Sequence, residues 1–327
     1  MSINRLNHAK KIISASRRTD IPSFYDKWFL NRIKEGYACY LNPFSGAKHY
    51  VSLKKEDVAC FVFWSKNFIP FMDVLKIIDQ LGYKFYFNYT INNYPEFLEN
   101  NVPDFKITVD NLIKIAEIYS PNHINWRYDP IIITSQTDFN YHLKNFNMLA
   151  SMLKGYVKRC MISYISLYGK VKKNFYELKK RGGIDLYDYE NKIKIDFALK
   201  LAEIAEKNDI SLYSCCMDFL ISDKIHKAHC IDGDLINELF FKNIVKFKSK
   251  IKPTRKECGC TESIDIGTYN TCIHGCVYCY ANINKTQAYR MHKTSDLESA
   301  FLGYNKSVSD EWMNQLTLKK NNKFSLQ

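Results

Sequence analysis

The chain has 327 residues, 46% hydrophobic and 25% charged, enough for one large α/β domain or two ordinary ones with full cores, and that composition excludes an intrinsically disordered protein. The formal net charge is +13, from 47 Lys and Arg against 34 Asp and Glu. It is spread along a sequence rich in Lys, Asn, Ile, Tyr and Phe, and the only basic run is a weak one, at Lys170, Lys172, Lys173 and Lys179 to Arg181. Such charge reads first as solvated surface, with nucleic acid kept as a partner class. No stretch of about 18 uncharged apolar residues occurs, and MSINRLNHAKK lacks the apolar core and cleavage site of a secretory signal. The expectation is a soluble cytoplasmic protein with no membrane partner.

Short β-branched or aromatic runs alternate with longer stretches whose apolar residues recur at helical spacing. Lys11 to Ser16 reads as a strand and Pro22 to Lys34 as a helix. The pairs that follow are Val58 to Trp64 with Ile69 to Leu81, Lys84 to Ile91 with Val109 to Tyr119, His123 to Tyr128 with Tyr141 to Leu153, and Arg159 to Ile165 with Tyr189 to Lys207; Ser211 to Cys215 is a further strand. Strands alternating with helices predict a parallel sheet, doubly wound or closed into a barrel. A barrel is favoured because polar residues fall at the ends of predicted strands, where barrel enzymes build their sites: Arg17-Arg18-Thr19-Asp20, Ser65-Lys66-Asn67 and Arg127-Tyr128-Asp129-Pro130. In YKFYFNYTI, Tyr86, Asn88 and Thr90 share one face, expected to line a polar cavity. No Gly/Ser-rich linker divides the chain, so residues 1–305 read as a single domain and 306–327 as a frayed C-terminal tail.

Eleven cysteines in a cytoplasmic protein point to metal or redox work, because cytosolic thiols are kept reduced. Five of them fall in the span 258–279. Cys272, Cys276 and Cys279 form a C-x3-C-x2-C loop able to wrap three thiolates around one face of a cubane cluster, leaving one iron free for another ligand. Structural zinc is the competing reading, since C-x-C and C-x2-C pairs also build closed thiolate sites. His274, inside the loop, reads as an exposed histidine without a ligand role. Cys258 and Cys260 cannot close a four-thiolate site alone, but Cys230 and one of Cys215 or Cys216 would complete it. Cys216 is the expected ligand, with Cys215 pointing the other way as a small buried hydrophobe. A second [4Fe–4S] cluster is favoured there, with zinc and unliganded buried thiols as alternatives.

The segments SASRRTDIP, WSKN, WRYDP and CGCTESIDIGTYNTCIHGCVYCYAN resemble the bacterial family catalogued as domain of unknown function 1848, over about residues 11 to 300. The cysteine spacing, with Tyr278 just before the third cysteine, also resembles the radical S-adenosylmethionine (SAM) superfamily. CIHGCVYCYA is similar to the cluster loop of its spore photoproduct lyase-like branch, which repairs DNA by radical chemistry. The resemblance implies a [4Fe–4S] cluster that binds SAM through its open iron and cleaves it, with one electron, to methionine and a 5′-deoxyadenosyl radical that abstracts a substrate hydrogen. It also implies a reductant such as flavodoxin or ferredoxin.

The cluster loop of most such enzymes follows the first strand, whereas here it comes after residue 270. A circular permutation reconciles the two: Glu262 to Ile266 would be the usual first strand, Gly267 to Cys279 the cluster loop, Tyr280 to Met291 its helix and Ile12 to Ser16 the usual second strand. The fold expected is therefore α/β, a partial or full (βα) barrel of the radical SAM type, permuted so that the cluster-binding region, 258–291, is C-terminal. The resemblance makes Lys66 a candidate for the SAM carboxylate. Arg127 could fork onto a carboxylate of SAM or substrate, or merely pair with Asp129. Asn88 is a candidate for the ribose hydroxyls, and Tyr278 belongs with the cofactor site. Arg17, Arg18 and Asp20 are candidates for an anionic substrate, although Asp20 ahead of Pro22 is equally a helix start. The substrate stays open between a nucleic-acid lesion and a small metabolite or peptide. A non-catalytic iron–sulfur or zinc protein is the competing class.

Overall fold

Along VACFVFWS, Phe61 and Phe63 point to one side of the sheet and Cys60 and Val62 to the other, and all four are fully buried. Both faces of the sheet are therefore covered, as the near-continuous apolar strands require. In the computed structural model, which describes residues 10–241, 247–248 and 250–324, β1 (Lys11–Ala15) leads through a short α1 (Ile21–Phe24) and α2 (Asp26–Glu35) to a hairpin of β2 (Tyr37–Leu41) and β3 (Lys48–Ser52). Then come β4 (Val58–Ser65), α3 (Met72–Gln80), β5 (Phe85–Thr90), α4 (Phe105–Tyr119), β6 (Ile124–Ile131), α5 (Phe139–Leu153) and β7 (Arg159–Tyr164). The chain continues with α6 (Gly169–Gly182), α7 (Asn191–Lys207), β8 (Ser211–Ser214), β9 (Ile225–Lys227), α8 (Gly233–Phe240), β10 (Ile264–Asp265), α9 (Lys285–Lys293) and α10 (Lys306–Phe324).

Eight strands form one sheet in the order β10-β1-β4-β5-β6-β7-β8-β9, and every pairing in it is parallel. The last strand in the sequence lies beside the first, with Ile13 opposite Ile264 and Ser14 opposite Asp265. This is the pairing expected of Glu262 to Ile266 with Ile12 to Ser16. Helices α2, α3, α4, α5 and α7 bury Trp28, Leu75, Leu112, Phe146 and Leu201 in one continuous core with Phe61, Phe63, Phe87 and Trp126 of the sheet. The opposite face carries Ile12, Cys60, Val62, Tyr86 and Met161, packed against Cys215, Cys230, Cys258 and Cys260 and against Leu235 and Ile236 of α8. A hydrogen bond from Thr261 N–H to the Ile231 carbonyl (2.9 Å) joins the segment after β9 to the one leading into β10.

Each expected strand and helix is present, with differences that have local causes. The helix expected at Pro22 to Lys34 is broken at Tyr25, which caps α1 and precedes α2. The β2–β3 hairpin carried no repeating apolar signal because its tip is exposed, Phe44 almost fully. The basic run near Lys170 is the helix α6, anchored by Val171 and Phe175. The segment read as a frayed tail is corrected by α10, which is helical as far as Phe324. Trp312 packs its ring at 5.0 Å from that of Phe301 and 4.8 Å from that of Tyr304, so apolar contact holds the first turns of this helix. The last three residues of that reading, 325–327, lie outside the described residues. No helix among the described residues is long and apolar enough to cross a membrane.

Candidate metal centre

The loop from Gly267 to Cys279 leaves the C-terminal end of β10 and lies against the same ends of β1 and β4. Asp20, at the start of α1, is the hub that holds it. One carboxylate oxygen accepts from Ser65 Oγ at 2.7 Å and from the Ser23 N–H at 3.0 Å, capping the helix; the other accepts from the Lys66 N–H at 2.9 Å and lies 2.8 Å from His274 Nε2. Burial pushes the Asp20 carboxyl up, but the His274 hydrogen bond and charge outweigh it and hold the group below its ordinary range. His274 is buried, with Nδ1 at 3.2 Å from the Asn101 carbonyl and its ring 4.6 Å from that of Phe24. This corrects the exposed histidine expected from the sequence: a loop residue is drawn inside because it meets a buried carboxylate.

The loop is tied down along its length. Asn101 donates its N–H to the His274 carbonyl (3.0 Å) and its side chain to the Ile273 carbonyl (2.9 Å), Asn174 donates to Val277 (2.7 Å) and Asn282 to Cys272 (2.7 Å). Burial pushes the thiols of Cys272, Cys276 and Cys279 up; Asp20 and the other two sulfurs add to it at Cys272, while Cys276 is pushed up to about 12 with Lys66 pulling it the other way. Three soft donors on one restrained loop, beside a cation, match the donor set of a three-cysteine cluster site, and loading such a site releases the thiol protons.

Lys66, immediately after β4, sits 2.7 Å from Glu99 and 5.6 Å from the centre of the Tyr278 ring. Burial lowers the Lys66 ammonium, but Glu99 and the Cys276 sulfur beside it raise it above its ordinary value. Glu99 also accepts from the Tyr278 hydroxyl and, at 3.1 Å, from Asn92. Asn92 in turn accepts from the Asp129 N–H at 2.9 Å. Asp129 pairs with Arg127 and accepts from Ser163. Arg127, on β6, points its other terminal nitrogen to the Cys230 sulfur at 2.8 Å. A continuous polar chain thus runs from Tyr278 through Glu99, Asn92, Asp129 and Arg127 to Cys230. Glu99 and Asn92 were not singled out from the sequence; they lie on the loop after β5, where no periodicity marks a residue's direction.

The other expected site residues are placed as follows. Asn88 is buried on the cysteine-bearing face and donates to the Cys230 carbonyl at 3.0 Å, beside Tyr86, whose hydroxyl does the same at 3.0 Å. Arg17 and Arg18 flank Asp265: the Arg17 N–H donates to it at 2.8 Å, and the guanidinium nitrogens lie at 3.7 and 3.9 Å. Burial lowers the Arg17 guanidinium, but Asp265 together with Cys260, Tyr280 and Cys230 nearby raises it above its ordinary value. Cys216, Cys230, Cys258 and Cys260 come together from three segments far apart in sequence. Cys215 joins them, its sulfur 3.4 Å from that of Cys230 and 3.9 Å from that of Cys216. The expectation that Cys215 faces away is therefore corrected: β8 ends at Ser214, and Cys216 has a left-handed backbone (φ 57°), so strand alternation no longer governs the pair.

No curated protein matches the chain. Among solved structures, the one titled "Crystal structure of D-hydantoinase" aligns at 8% sequence identity and a TM-score of 0.29, over 62% of this chain and 40% of that one, a likeness too distant to bear on fold or chemistry. The family model described as Domain of unknown function (DUF1848) matches residues 12–281. That span holds most of the sheet and all three cysteines of the loop, and the chain belongs to this family.

Proposed function

We propose that the protein is a radical SAM enzyme whose [4Fe–4S] cluster is held by Cys272, Cys276 and Cys279. The observation that carries this reading is the position of the loop: it follows a strand paired in parallel with β1 and lies against Asp20, Lys66 and Glu99 at the C-terminal ends of the strands. When bound, the cluster and SAM supply one-electron cleavage of a carbon–sulfur bond and a radical that abstracts hydrogen. The chain's own residues bind and orient. Among the described residues Lys66 has one hydrogen-bonding partner for its ammonium, Glu99, and an ammonium carries three donors, so the others suit a cofactor carboxylate. Asp20 and His274 fix the path of the loop, and Glu99 orients both Lys66 and Tyr278. The helix layer of α2 to α5 and α7 on one face and the β10–β1 pairing support a permuted (βα) barrel as the frame for this chemistry.

A polyanionic substrate, nucleic acid included, is favoured by α6. Its Lys172, Lys173, Lys179, Lys180 and Arg181 are exposed, Lys180 lies 4.5 Å from the centre of the Tyr176 ring, and its first turns contact the cluster loop through Lys170 and Asn174.

The test is anaerobic reconstitution with iron and sulfide, followed by dithionite and SAM. Formation of 5′-deoxyadenosine, abolished by alanine at each of the three loop cysteines, is the expected result. An alanine variant with unchanged cleavage, or a protein that takes up zinc alone, overturns the reading.

A further inference from the structure

The second cysteine group lies on the sheet face opposite α2 to α5 and α7, beside α8. Its five cysteines gather in one buried cluster. The Cys215 sulfur lies 3.4 Å from that of Cys230 and 3.9 Å from that of Cys216, and the side chains of Cys258 and Cys260 pack into the same cluster. Two guanidinium groups face this group, Arg127 at 2.8 Å from the Cys230 sulfur and Arg255 at 3.8 Å from that of Cys215. Gly259 allows the segments to approach, since a Cβ there would lie 2.9 Å from the His229 ring and 3.2 Å from the Ala228 carbonyl.

We propose that four of these five cysteines bind a second [4Fe–4S] cluster, separate from the Cys272–Cys279 loop. Buried thiols are common singly as small hydrophobes, but five converging from three chain segments form a donor set that soft metals select. Both segment pairs supply two closely spaced donors, Cys215 with Cys216 and Cys258 with Cys260, and Cys230 lies between them. Four thiolates on a cubane carry net negative charge, which the two guanidinium groups offset, and hydrogen bonds to sulfur are among the levers that set a cluster's potential. Structural zinc needs only a closed four-thiolate cage. The polar chain from Arg127 to Tyr278 instead links this group directly to the first site, an arrangement suited to two redox centres in one interior.

The site stands independently of the first, and the experiment separates them. The full-length variant with Cys272, Cys276 and Cys279 all changed to Ala is reconstituted anaerobically with ferrous iron and sulfide, and its fold is checked by circular dichroism. Retention of about four irons and four sulfides per chain is expected, with a paramagnetic signal on dithionite reduction. Adding Cys230→Ser, Cys258→Ser or Cys260→Ser removes them, and of Cys215→Ser and Cys216→Ser one keeps them. In the otherwise wild-type chain, the double variant Cys258→Ser/Cys260→Ser lowers the iron from about eight to about four per chain, which serves if the triple variant does not fold. Wild-type protein that holds only about four irons, lost with Cys258 and Cys260, keeps this proposal and overturns the first site. One zinc and no iron, or a folded triple variant free of metal, overturns this proposal.

Discussion

Ser16 Oγ donates a 2.6 Å hydrogen bond to Asp265, and so joins the end of the first strand to the last strand of the sheet. The other oxygen of the same carboxylate accepts from Ser14 Oγ at 2.7 Å. Gly267 lies against this junction: a Cβ there would sit 1.9 Å from Ser16 Oγ and 2.6 Å from Ser16 Cβ, in a backbone conformation that any residue can adopt. The requirement is thus one of space alone. Gly267→Ala is expected to displace Ser16 and lower stability by about 1–3 kcal/mol in urea denaturation. Gly169→Ala, at a helical position with open space around the added Cβ, should not lower the midpoint and should raise it slightly.

Lys66 and Glu99 offer a test of binding on the folded protein. With Lys66→Ala, Glu99 keeps the Tyr278 and Asn92 donors but loses its buried cation, so stability should fall, and binding is compared on protein shown by circular dichroism to be folded. SAM affinity of the reconstituted protein should fall at least about tenfold, roughly 1.4 kcal/mol, measured by equilibrium dialysis. Unchanged affinity would remove Lys66 from the cofactor site.

Removing Arg127 leaves Asp129 and the Cys230 sulfur without their shared cation in a buried place. Arg127→Ala should cost about 3–5 kcal/mol. Arg127→Lys should recover only part, since one ammonium does not reproduce a fork that reaches two acceptors on different elements. A loss below about 1 kcal/mol in the alanine variant would show that the pair has little structural role.

His142 should set the acid limb of stability. It is fully buried, its Nε2 lies 2.9 Å from the Ile132 carbonyl and its Nδ1 2.7 Å from the Tyr128 hydroxyl, and burial lowers its pKa to about 4, against an ordinary value of 6.5. A carbonyl can only accept, so Nε2 carries the proton and Nδ1 accepts from Tyr128. Because the folded-state pKa is depressed, the unfolded chain takes up the proton first as the pH falls. The contribution is complete above about pH 6.5 and declines toward pH 4. Between pH 6.5 and pH 5 the loss should reach about 1.5 kcal/mol. A His142→Gln variant should show a flatter dependence in denaturation series at the two pH values; an equal slope would assign the acid sensitivity to other groups.

The strand and helix sequence was legible because each element carries its own period: Phe61 and Phe63 alternate with Cys60 and Val62, and α3, α4 and α5 bury one stripe each. The pairing of β10 with β1 was implied only by the family resemblance, which called for a strand ahead of the cysteine loop beside Ile12 to Ser16. The C-x3-C-x2-C spacing marked the loop, because local ligand spacing survives in one dimension. Only tertiary structure decided what surrounds it. Glu99, Asn92 and Asp265 act across separations of tens to hundreds of residues, and His274 is held inside by partners such as Asp20, Asn101 and Phe24 from other elements. The direction of Cys215 was likewise beyond reach, since it depends on a left-handed turn at Cys216 and not on the alternation of the strand before it. Periodicity tells which face a side chain takes within a regular element; outside one, its direction is set by the partners that folding brings to it.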